Sequence, residues 1–289
     1  MGSNKQYLKG ILITLSGVIV LSADALLIRM SGTGGAQAAF WRALFTFLSL
    51  FTVLLVTKKR TWLATLTGGG VAMLFSGLLW GISGISFSIG VHNSGAAVML
   101  VMMGLSPFFA AAHSFIFYRT KAHPLTLLAA AGAVGGIFYM YNSQIGSIGP
   151  SDFLYTIWTP LFLGTNLSFL RQHAGLDRIA ICTVGGLLGT NIAFVMAKAQ
   201  IAVSLSELLP LVILGGLVIP FAQLSLSWGT KFIPAGESAL ISSLETIFGI
   251  FYVWVFLNEV PSSHTLIGAA IVFGCILLNT LIQAYWVKR

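Results

Sequence analysis

Apolar runs of about 20 residues recur along the whole chain, separated by short polar intervals. A run of that length crosses a bilayer as an α-helix rising 1.5 Å per residue. The ten-residue alternation of an outer-membrane barrel does not fit this pattern. Ten helices are predicted, over 7–29, 36–57, 71–91, 94–117, 124–142, 151–171, 178–198, 206–230, 234–257 and 263–286. The intervals between them leave almost no room for an extramembrane domain.

Composition sharpens this picture. Of 289 residues 57% are hydrophobic and 8% charged, with mean hydropathy +0.94, against about 25% charged residues in soluble domains. Such a chain cannot cover itself with polar surface in water, and an all-α integral membrane protein is expected. The net charge of +8 would suit nucleic acid only if it formed one basic face. Instead the Lys and Arg residues lie between the apolar runs. With the N-terminus cytoplasmic, the inner side receives Lys5, Lys9, Lys58, Lys59, Arg60, Arg119, Lys121, Arg171, Arg178, Lys231, Lys288 and Arg289. The outer side keeps Arg29, Arg42 and Lys198. That asymmetry predicts both termini on the cytoplasmic side. Lys5 and Lys9 precede an apolar run without a small-residue cleavage site, which reads as a first span and not a signal peptide. Cys182 and Cys275 both fall inside apolar runs, so a disulfide framework is not expected.

The chain also repeats itself. An offset of 139 aligns spans three to five with spans eight to ten, and over 95–141 ten of 47 pairs are identical, where shuffled composition gives about four. Phe109 meets Phe248, Phe117 meets Phe256, Thr126-Leu127 meet Thr265-Leu266, and Gly135 meets Gly274. A five-span unit repeated in tandem must be inverted in the membrane, a construction common in secondary transporters. The expected domains are 1–146 and 147–289, each a five-helix repeat.

Three segments carry a family resemblance: AFWRALFTF (Ala39–Phe47), LSPFFAAAHSFIF (Leu105–Phe117) and its counterpart LETIFGIFYVWVFLNE (Leu244–Glu259). They resemble the drug/metabolite transporter superfamily, its EamA-type branch in particular, and within it the YddG-type amino-acid exporters of bacterial inner membranes. The family often has a Gly-Glu pair after its fourth and ninth spans. Here the ninth ends Asn258-Glu259, while the fourth ends Arg119-Thr120 and departs from the pattern. The resemblance implies export, a bacterial inner-membrane location and alternating access between two inverted halves.

Candidate site residues come from polar groups within the apolar runs. Glu245 sits close to the middle of the ninth, where a carboxylate costs about 2.5–3.5 kcal/mol on insertion scales. With Ser238, Ser242, Gly249 and Tyr252 it forms one helical stripe. The repeat places Met99, Met103, Ser106, Ala110 and His113 on the matching stripe of the fourth span. Glu245 either faces a cavity or makes an interhelical hydrogen bond; the methionines either line a pocket or fill the core. Spans three and eight carry Gly81, Gly84 and Pro220 at corresponding points, which predicts paired interruptions beside a binding region. Trp80, Ser83 and Phe87 share a face there, Gln223 lies one turn beyond Pro220, and Trp158 stands beside Pro160 in span six. Asp24, Arg29 and Arg42 form a second polar group, read as an ion pair or as a gate that clamps a carboxylate. Gly132-x3-Gly136 and Gly185-x3-Gly189 read as internal packing, not a dimer seam, consistent with a monomer.

An amino acid asks for an acceptor for its ammonium, donors for its carboxylate and an adaptable apolar wall. Glu245 with Ser242, the hydroxyls with Gln223, and Trp80, Phe87, Met99, Met103 and Trp158 answer these in turn. A multidrug or other small-metabolite exporter of the same fold is the alternative. A nucleotide-sugar carrier would want a Lys/Arg cluster for its diphosphate. An enzyme would want a motif such as HExxH or a nucleophile with its base. The sequence shows no outer or central Lys/Arg cluster and no such motif, and no cofactor, metal or nucleic-acid partner is expected; the partners are a small molecule and the lipid bilayer.

Overall fold

The computed structural model describes residues 2–119, 124–142, 150–234, 238, 241–242, 244–258 and 260–287. Among them there are helices and no strands. Thr120, Lys121, Glu259, Lys288 and Arg289, used above for charge or motif, lie outside the described residues.

The helices are α1 (Gly2–Leu21), α2 (Asp24–Ser31), α3 (Gly35–Lys58), α4 (Trp62–Thr67), α5 (Gly70–Ser94), α6 (Ala96–Met103), α7 (Ser106–Tyr118), α8 (Pro124–Asn142), α9 (Pro150–Gln172), α10 (Arg178–Met196), α11 (Leu205–Ile213), α12 (Ile219–Gly229), α13 (Glu245–Leu257) and α14 (Ser263–Val287). Among the described residues six stretches are long and apolar enough to cross a membrane: Gln6–Ser31, Gly35–Thr67, Gly70–Ser94, Ala96–Tyr118, Arg178–Met196 and Leu205–Gly229. Their apolar side chains face outward as well as inward: Val56, Leu74, Phe117 and Val195 are all exposed. Helices apolar on every side need lipid around them.

Two of these stretches are broken where one continuous helix was predicted. The first divides at Ser22-Ala23 into α1 and α2, and the fourth divides at Gly104-Leu105 into α6 and α7, with Pro107 in the first turn of α7. Pro tolerates a helix start because it has no N–H to leave unsatisfied there. The predicted eighth span, Leu205–Gly229, is interrupted as expected: a π-helical turn at Leu214–Val218 separates α11 from α12, and Pro220 lies in the first turn of α12. The interruption expected in the third span is absent: α5 runs unbroken through Gly81 and Gly84. Glycine, unlike proline, keeps its backbone donor, so it loosens a helix without removing a hydrogen bond. These two glycines serve close approach. A Cβ on Gly81 would lie 3.0 Å from the backbone nitrogen of Gly189, and one on Gly84 would strike the Arg42 guanidinium.

Packing partners exchange in a regular way. α3 packs on α10, and α8 packs on α14. α5 packs on α9 and α12 on α1, while α7 packs on α9 and α13 contacts α1 and α2. Each Gly-x3-Gly pair marks an internal crossing. Gly132 and Gly136 meet Cys275 and Ile271 of α14, while Gly185 and Gly189 meet Trp80, Gly77 and Gly81 of α5. Both cysteines are free.

Candidate functional site

The helix breaks converge on the centre of the bundle. There Leu21 and Asp24 flank the α1–α2 break, Met103 ends α6, Glu245 opens α13, and Ile219 and Gln223 follow the π-turn. With Arg42 of α3, Trp80, Ser83, Gly84 and Phe87 of α5, and Thr159 and Leu163 of α9, they enclose a central cavity. Its free space is about 30 Å³, room for a water or two at about 10–15 Å³ each on this measure. The site is shut around itself in this conformation, and an organic substrate enters only when helices move.

Arg42 and Asp24 form a two-pronged ion pair in the cavity wall. The Arg42 Nε donates to Asp24 Oδ1 at 3.2 Å and Nη2 donates to Oδ2 at 2.5 Å. Both residues are buried. Two parallel charge-assisted bonds offset much of the cost of burying two charges, and removing either partner would strand the other. Arg29 is exposed near the C-terminal end of α2 and lies outside the cavity wall.

Glu245 is 1% exposed, and its Oε2 has no hydrogen-bond partner among the described residues. The same holds for Trp80 Nε1 and Gln223 Oε1. Three cavity-lining residues from α5, α12 and α13 thus hold unsatisfied polar atoms in an apolar shell of Phe87, Met103, Leu21 and Leu163. An unpaired buried polar group costs about 1–3 kcal/mol, and more when charged. A ligand carrying a donor for Glu245 and acceptors and donors for Trp80 and Gln223 would recover that cost on binding. Ser83 Oγ is already engaged, donating to the Thr159 carbonyl at 3.3 Å.

Of the residues singled out in the sequence, the structure brings Asp24, Arg42, Trp80, Ser83, Phe87, Met103, Gln223 and Glu245 to this cavity. Met99, Ser106, Ser238 and Ser242 are buried beside it but do not line it. Met99 packs on Gly90, and Ser242 Oγ donates to the Ser238 carbonyl at 2.8 Å. Trp158 is 38% exposed and makes edge contacts with Tyr155 and Phe162 on the outer side of α9. The inward face of α9 is one residue over: Thr159, Leu163 and Asn166, at i, i+4 and i+7. In the sequence that face is a second stripe, one position from the aromatic one.

A larger groove of about 560 Å³ lies between α5, α7 and α9. Phe75, Ile116 and Phe117 on its rim are exposed apolar side chains, as expected of a surface facing lipid tails, and its one buried polar wall residue, His113, already contacts Ser168 Oγ at 2.9 Å. No group of three or more His, Cys, Asp or Glu able to hold a metal occurs among the described residues.

Residues 153–281 match the EamA-like transporter family. The EamA-like region contributes Thr159, Gln223 and Glu245 to the site. The likeness to a transporter family is that of this region, and the apolar helices long enough to cross a membrane fit it. No curated protein matches the chain. Among solved structures 28 chains match. One, described only as "Crystal structure of protein", is 15% identical, with TM-score 0.72, covering 95% of this chain and 98% of its own. At that identity the likeness speaks for the fold alone.

Proposed function

We propose that the protein exports amino acids, aromatic ones included, across a bacterial inner membrane. Ten spans form two inverted five-helix halves, 1–146 and 147–289, both termini are cytoplasmic, and the halves rock to open the central cavity to alternate sides. The observation that carries this reading is the cavity itself: Trp80, Gln223 and Glu245 present unsatisfied polar atoms from both halves within an aromatic and methionine wall. Glu245 and Gln223 Oε1 accept from the substrate ammonium, Trp80 Nε1 donates to its carboxylate, and Phe87 and Met103 yield to its side chain. The exchanged packing partners support the inverted repeat, since a two-fold axis swaps α5–α9 with α12–α1 and leaves α3–α10 paired with itself. The direction of transport rests on the resemblance.

Uptake into proteoliposomes tests this. Labelled Phe, Trp, Met and Thr, with and without an imposed pH gradient, are expected to show saturable uptake of several of them. No uptake by folded protein would overturn the amino-acid reading. One observation favours the second reading, a multidrug or other metabolite exporter: the wall holds two carboxylates against one guanidinium, which is already engaged. Uptake of organic amines without amino acids would establish it.

A further inference from the structure

Below the cavity, toward the end of the bundle rich in Lys and Arg, the polar residues continue. One turn from Trp80 on α5 is Ser76, whose hydroxyl donates to Asn166 Oδ1 of α9 at 2.6 Å. One turn from Gln223 on α12 is Ser227, 3.6 Å from the Cys182 sulfur of α10. One turn beyond Cys182 is Arg178 at the start of α10. All five are at most 1% exposed. Their helices are tied together here: Arg178 Nη2 donates to the Leu170 carbonyl of α9 at 2.7 Å, and Arg171 Nη1 to the Thr230 carbonyl after α12 at 3.0 Å.

Small polar residues between membrane helices often serve as glue, and positive charges at helix ends often serve only to fix orientation. Neither account covers this column. Glue is satisfied by the bond it makes, whereas Asn166 Nδ2 and Arg178 Nε and Nη1 have no partner among the described residues. An orienting charge needs only to lie outside the bilayer, whereas Arg178 is fully buried beneath its neighbours. The surroundings also favour anions. Lys58 is paired with Asp177 in an ion pair, and Lys231 feels both Arg178 and Lys58, with Asp177 the one acid in the group.

We propose that this column is the cytoplasmic route to the central cavity, closed in the present conformation, and that Arg178 is its anion subsite. It takes the carboxylate of an incoming amino acid when the bond to Leu170 opens, before the substrate passes between α5, α9, α10 and α12 to Trp80 and Gln223. The proposal rests on the amino-acid reading and adds a second binding position to it.

Two measurements test it in proteoliposomes. The first compares L-phenylalanine with phenylalaninamide, which keeps the ring and ammonium but lacks the carboxylate. Arg178→Gln is expected to lower kcat/KM for phenylalanine about tenfold, the effect of losing one charge-assisted bond, and to leave the amide within about twofold. Arg178→Lys is expected to recover part of the loss. Equal losses for both probes, or none, would overturn the subsite, since a merely structural arginine does not distinguish them. The second measurement leaves Arg178 intact and uses Cys182 as the reporter in a Cys275→Ser background. A membrane-impermeant maleimide applied from the cytoplasmic side is expected to label Cys182 faster during turnover with phenylalanine. Labelling from the outer side only, or no change during turnover, would overturn the route. If the unmodified protein transports neither probe, the amino-acid reading falls first, an outcome distinct from the variant behaving like its parent.

Discussion

Two helix starts, Ser106 of α7 and Glu245 of α13, stand 139 residues apart and are built on the same backbone. Leu105 and Leu244 precede them in turn conformation, with N–H bonds back to Met102 and Ile241, both 3.0 Å. The carbonyls of these leucines then accept from Phe108 and Phe109 in one copy, and from Ile247 and Phe248 in the other. Each helix ends 13 residues later on a left-handed non-glycine residue, Arg119 at φ 53° and Asn258 at φ 55°. The chemistry placed on this shared frame differs. The first copy offers Met99, Met103 and a serine; the second offers two serines and a glutamate. Only Met103 and Glu245 reach the cavity. Two helix starts of one backbone geometry can thus differ in chemistry, one supplying apolar wall and the other the charge.

This division of labour is open to direct attack. The largest effect is expected from Glu245→Gln, which keeps the shape and removes the charge. Uptake of amino acids should fall by roughly 10- to 100-fold in kcat/KM, the worth of a charge-assisted bond of about 1.5–3 kcal/mol. Ser106→Ala at the matching position should change uptake by less than about threefold. Equal losses at both positions would break the comparison. Unchanged transport of every amino acid by Glu245→Gln would remove Glu245 from the site.

A smaller effect separates the two copies by packing. In the first, the close approach is provided by the neighbour: a Cβ on Gly164 of α9 would sit 2.8 Å from the Ala110 nitrogen of α7. In the second, at the position matching Ala110, the helix supplies its own glycine, and a Cβ on Gly249 would sit 2.8 Å from Leu100. Leu100 is fully buried and has little room to yield. Gly249→Ala should therefore cost about 1–2 kcal/mol in thermal or denaturant unfolding, as overpacking does. The smallest effect lies at the helix ends. Left-handed backbone is strained for Arg and milder for Asn, so Arg119→Gly should stabilise by about 0.5–1 kcal/mol and Asn258→Gly by a few tenths. A stability scan of both variants would show whether the two ends are as alike as their angles.

Most of the cavity wall could be read from the sequence because a bilayer makes polar residues conspicuous. Glu245, Gln223, Asp24 and Arg42 stand out in apolar runs, and the spacing of Trp80, Ser83 and Phe87 puts them on one face. The losses have physical causes. On α9, Trp158 and Thr159 differ by one position, and one residue turns a helix by about 100°. Side-chain pattern alone favoured the aromatic face, whereas Gly164 packing on α7 selects the other. Gly81 and Gly84 looked like helix breakers but act as contact surfaces, because what sits opposite a glycine is a tertiary fact. Arg178 reads in the sequence as one more orienting charge, because a pattern of Lys and Arg does not carry burial.

The crossing of α5 and α10 has a mechanical consequence. Gly77 and Gly81 face Gly185 and Gly189, so backbone slides against backbone where most helix pairs interlock side chains. There are few knobs to lift out of holes, and the barrier to a small rolling or shearing step at this line is correspondingly low. In the proposed arrangement α5 and α10 belong to opposite halves, which makes the seam a natural bearing. A bulky residue at any of the four positions would jam it while leaving the cavity's chemistry untouched.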